Sequence, residues 1–137
     1  MSISTVEAPV TTAAVQLLAA AQRELTAAVA AQRPEERYAR AHLGAPRAAA
    51  AVLDARARPA RSRPRSVWVL LPAVAPELHE WAIFFAASAA KRPLAEAGVA
   101  VVSDREADDL LRGAYALFDR VATMLHIALP AVLPVTD

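Results

Sequence analysis

Apolar residues recur along this chain at intervals of three and four, the spacing of helices that bury one stripe. From residue 12 to 32 the period is carried by Ala14, Leu17, Leu18, Ala21, Leu25, Ala28 and Val29. Pro34 suits the first position of a second helix, with Glu35 and Glu36 at the positive end of its dipole, and that helix is predicted to run to about Arg58. Pro46 within it cannot donate to the carbonyl of His42, which predicts a kink. Residues 59–65, PARSRPR, read as a loop. Ser66 can cap a third helix, VWVLLPAVA, bent at Pro72 and ended or re-aimed at Pro76. A fourth begins near Pro76, with Leu78, Trp81, Phe85 and Ser88 along one side and Phe84 beside them, and stops before Pro93 or frays to Gly98. Residues 99–102 form an apolar connector. Ser103 and Glu106 then match a capping box. The stripe that follows is Ala107, Leu110, Leu111, Ala114, Leu117, Phe118, Val121 and Leu125.

Strand-like alternation is almost absent. The pattern predicts an all-α fold, an up-and-down bundle of four to five helices in one domain over residues 11–129. Residues 1–10 read as disordered and 130–137 as a loose tail. Composition sharpens this picture: 36 of the 137 residues are alanine, so helices can approach closely but the core is thin. Pairing into a homodimer would bury more.

Charge changes the picture further. The net charge is only +1, yet it is unevenly spread: residues 1–36 carry −2, residues 37–65 carry +7 and residues 66–137 carry −4. A basic middle between acidic ends suits either an anionic ligand or an acidic protein partner. The absence of cysteine removes thiol nucleophiles, disulfides and cysteine-held metals. Three histidines leave little for a metal site, and no metal or cofactor is expected. His79 and Glu80 lack a second histidine at zinc spacing. The acids Asp104, Glu106, Asp108 and Asp109 are explained by helix-surface pairing of Arg105 with Asp109 and of Asp108 with Arg112. No run of roughly 18 apolar residues predicts a membrane helix, and no basic, apolar leader opens the chain, so a cytoplasmic protein is expected.

Two arginine–histidine pairs could carry chemistry. Arg37 and His42 stand five positions apart, Arg120 and His126 six. Such a pair suits cleavage of RNA by its own 2′-hydroxyl, with His42 as general acid/base and Arg37 as phosphate clamp, and Arg120 with His126 as second choice. One straight helix holds Arg37 and His42 about 140° apart, so convergence needs a bend or a second subunit. Arg56, Arg58, Arg61, Arg63 and Arg65 put five guanidinium groups in ten residues. They are expected to face water and bind phosphate of RNA or a nucleotide without reading sequence, since no aromatic residue interleaves them.

The strings ERYARAHLGAPRAAAAVLDARARP, PRSVWVLLPAVAPELHEWAIFFAASAAKR and SDREADDLLR resemble an actinobacterial branch of the HEPN domains (higher eukaryotes and prokaryotes nucleotide-binding), over roughly residues 17–118. The resemblance implies a helical, usually dimeric bundle. It also implies one of two roles: a metal-independent RNase of toxin–antitoxin, antiviral or stress systems, with an R-x(4–6)-H motif towards the last long helix at the dimer seam, or a non-catalytic interaction module.

Overall fold

A computed structural model describes residues 10–56, 66–99 and 101–131. Six α-helices follow in order: α1 (Thr12–Ala30), α2 (Pro34–Arg56), α3 (Val67–Val74), α4 (His79–Ser88), α5 (Arg92–Glu96) and α6 (Asp104–Leu125). Turns of 3-10 helix, Pro76–Leu78 and Ala89–Lys91, join α3 to α4 and α4 to α5. No strand occurs among the described residues, and the all-α expectation holds. The expected disordered start, tail and arginine-rich loop lie mostly or wholly outside the described residues.

Side-chain caps set the starts of α1, α3 and α6. The Thr11 hydroxyl accepts from the Ala14 amide at 2.9 Å, Ser66 accepts from Trp68, and Ser103 and Glu106 form the reciprocal capping box. Thr11 also donates to Asp54 at the far end of α2. Arg40 meets Glu24 at 3.2 Å. Together these contacts make α1 and α2 antiparallel neighbours. Gln22 on α1 reaches the carbonyl of Pro130, beyond the end of α6, so α6 runs against α1 and along α2. The third rod is the broken one. Where a single helix is expected from Pro76 towards Pro93, the chain makes α4, a 3-10 turn and the five-residue α5.

Helix α2 is the axis of the molecule. It packs against α1, α3, α5 and α6, and Tyr38, Ala41, His42, Ala45, Ala48, Ala49, Ala51 and Val52 are buried along it. Pro46 does not end the helix. Close approach depends on Gly44: a methyl there would stand 2.8 Å from Leu25 Cδ2 and 3.3 Å from the Ala21 carbonyl. The bulk of the core comes from Leu18, Leu25, Leu71, Leu78, Phe85, Leu110 and Leu117.

Candidate functional site

Tyr38 and His42 lie one turn apart on α2 and face the end of α4. There the amides of Ala89 and Arg92 bond to the carbonyls of Ala86 and Ala89, so Phe85 and Ser88 lose the amide partners a continuing α-helix would supply. The Ser88 hydroxyl donates to the Phe85 carbonyl at 3.1 Å, and side chains from α2 supply further partners. The Tyr38 hydroxyl donates to the Ser88 carbonyl at 3.0 Å, and His42 Nε2 stands 3.1 Å from the Phe85 carbonyl. A carbonyl can only accept, so Nε2 carries the hydrogen and Nδ1 is the bare nitrogen. Nδ1 is buried without a partner. The imidazole stacks on Tyr38 (centroids 6.4 Å apart, planes at 17°) and meets Phe85 edge-on at 6.2 Å. Only 3 % of His42 is exposed.

Arg37 leaves α2 towards other neighbours. Its guanidinium donates to Asp108 at 2.9 Å and to the Ala31 carbonyl at 2.7 Å, fastening the α1–α2 turn to the start of α6. Asp108 is therefore held by Arg37, and Arg112 bonds Asp109 at 2.8 Å, three residues away, in place of the expected partner. Within one chain Arg37 and His42 are held by different elements, as their separation around the helix foretells.

Burial, the largest influence, pushes the His42 pKa below its usual 6.5; the Phe85 hydrogen bond opposes the shift and the Arg92 charge adds to it. The folded state thus holds a neutral ring that the unfolded chain would protonate. The unfolded state then binds more protons, so stability is complete above about pH 6.5 and declines as pH falls through that value. Melts between pH 7.5 and 5 should show a falling Tm in this window, and His42→Gln should flatten it. A decline that sets in only near pH 4.5, where free carboxyls titrate, would refute the assignment.

The opposite end of the bundle gathers cations. Arg56 closes α2 and bonds Glu77 at 3.0 Å. The Glu77 carboxyl lies below its usual pKa, first through its own backbone amide, then through the Arg56 bond and charge, with the Arg120 charge contributing. Arg120, exposed on α6, thus acts on the same carboxylate as Arg56 although 64 positions separate them in the chain. Glu77 was no sequence candidate. Its role becomes visible only when α2 and α6 run side by side.

His126 ends α6 in a left-handed conformation, φ 56° and ψ 41°. Its amide bonds the Thr123 carbonyl and the Ile127 amide bonds Ala122, the double closure that glycine usually provides. Both Arg120 and His126 are exposed. Arg58, Arg61, Arg63 and Arg65 lie outside the described residues.

Among the described residues no group of three or more histidine, aspartate or glutamate side chains could hold a metal ion. None of their helices is long and apolar enough to cross a membrane. No curated protein and no solved structure matches the chain. One family model does, that of the HEPN_SAV_6107-like HEPN domain, over residues 28–122. That span runs from the last turn of α1 almost to the end of α6 and includes all of α2 to α5. With more than half of its length matched and an all-helical bundle to carry it, the chain belongs to the HEPN domain family.

Proposed function

We propose that this chain is a dimeric HEPN module that binds RNA through backbone phosphates at the end of the bundle where α2 and α6 finish. The observation that supports this reading is that Glu77 bonds Arg56 and also feels the charge of Arg120, at the end where the arginine-rich segment leaves α2. The chain leads on from Arg56 into Arg58, Arg61, Arg63 and Arg65, the further phosphate contacts of the proposal. Guanidinium groups without exposed interleaved aromatics favour phosphate over base readout.

A second reading adds metal-independent cleavage by Arg120 and His126. It is favoured by their exposure at this same end and by the left-handed backbone of His126, a conformation held at some cost where glycine would rest easily. On this reading Arg120 holds the phosphate and His126 exchanges the proton. Arg37 and His42 keep the fold, by fastening α6 and by satisfying the end of α4.

Anisotropy with a labelled RNA tests the first reading. Arg56→Gln and Arg120→Gln should each weaken binding and each lower the slope of log affinity against log salt by about 1. Lack of binding even at about 50 mM salt would overturn it and leave a protein-interaction module. Cleavage is tested in EDTA with His126→Gly, which should abolish activity while holding or raising Tm, because glycine suits the left-handed position. A folded His42→Gln that loses cleavage while His126→Gly retains it would return catalysis to Arg37 and His42.

A further inference from the structure

On the outer side of the third rod, one turn along from Glu77, apolar side chains are exposed. Val69 is 61 % exposed, Ile83 56 % and Phe84 43 %. Beside them, Glu80, Trp81 and Phe84 of α4 and Gly113 of α6 line an open depression of about 260 Å³. Gly113 makes this shape possible, since a methyl there would stand 2.9 Å from Phe84 Cε2. The ring therefore lies against bare backbone.

The carboxylate at this depression carries no counter-charge of its own among the described residues. Glu77, Glu106, Asp108 and Asp109 are each paired with an arginine or lysine. Glu80 forms no ion pair or hydrogen bond among the described residues. An unpaired carboxylate beside two aromatic rings has the chemistry of a receptor for a cation: the ring faces attract positive charge and the carboxylate supplies the counter-charge. The volume is below the roughly 300–1,000 Å³ of small-molecule sites and suits one side chain.

We infer that this depression docks a cationic side chain, arginine or lysine, of a partner polypeptide. Trp81 and Phe84 receive the cation, Glu80 neutralises it, and Ile83, next to Phe84 on α4, covers an apolar residue of the partner. The depression begins one turn from Glu77 and is lined by none of the arginines proposed for RNA.

The test uses the whole chain and a capped Gly-Arg-Gly-Arg-Gly peptide, beside the same peptide with neutral citrulline for arginine. Trp68 is buried and Trp81 is half-buried, so a saturable change in tryptophan emission reports the depression. The arginine peptide should bind about tenfold more tightly than the citrulline peptide. Glu80→Gln and Phe84→Ala, both exposed substitutions, should lose that preference, whereas Arg56→Gln and Arg120→Gln should keep it, whether or not RNA binds. Equal binding of the two peptides, or unchanged binding by Glu80→Gln, would overturn the assignment. Sedimentation provides a further check. If the peptide fails to bind and Ile83→Glu turns a dimer into monomers, a second copy covers this face and the partner assignment is wrong.

Discussion

Replacing Phe85 by alanine is expected to cost about 3–5 kcal/mol of folding stability, the usual range for emptying a buried aromatic site. Phe85 is fully buried, stacks on Trp68 at 5.0 Å with planes at 19°, and meets both Phe84 and His42 edge-on. Its loss would take the middle out of the only aromatic chain in the described core, which runs Tyr38, His42, Phe85, Trp68. Alanines supply most of the surrounding surface on α2, and such short side chains cannot reach into the space left behind. Domains of this size hold only about 5–15 kcal/mol in total, so the variant should be close to unfolding at 37 °C. Urea unfolding is the measurement: the midpoint should fall with little change in slope. A loss under about 1 kcal/mol would mean that this aromatic chain does not bear the core.

The second large effect is expected at Gly44. Valine there would put its first carbon 2.8 Å from Leu25 Cδ2 and 3.0 Å from Leu25 Cγ, with the Ala21 carbonyl at 3.3 Å. Leu25 is fully buried and can yield only by pushing α1 away from α2. Overpacking of this kind costs about 1–3 kcal/mol, and valine adds β-branched methyls on top of it. Gly44→Ala should be milder, because alanine gains about 1 kcal/mol in helix propensity against the same contact. Gly98→Ala is the useful contrast. Nothing lies within 4 Å of it, but its φ of 79° makes any loss a matter of backbone strain, about 1–2 kcal/mol. Thermal melts of the three variants should therefore rank Gly44→Val lowest. A valine variant as stable as the native chain would show that α1 and α2 can separate freely.

His42 illustrates how one side chain can suit two roles on paper. Its type and its distance from Arg37 fit acid/base chemistry, and its distance from Tyr38 fits a stack one turn long. In the fold the stack is made, and its ring nitrogen serves the carbonyl that the 3-10 turn after α4 leaves without its helical amide. The site proposed instead joins Arg56 and Arg120, which no local spacing could connect.

Local physics wrote the helices into the chain. Ser66 and Ser103 can satisfy amides only within the next few residues, and a stripe such as Ala107, Leu110, Ala114, Leu117 and Val121 fixes which side of α6 turns inward. Caps and stripes act over one or two turns, so they can be read without knowing any neighbour. Tertiary packing decided the remainder: that α6 lies along α2, that Arg37 finds Asp108 71 positions away, that His42 reaches α4, and that Phe84 meets the bare backbone of Gly113. A helix's periodicity gives the direction of each side chain around its own axis. What waits in that direction depends on how the rods stack, and with so many alanines several stackings bury similar area until large residues such as Phe85 and Leu25 choose among them.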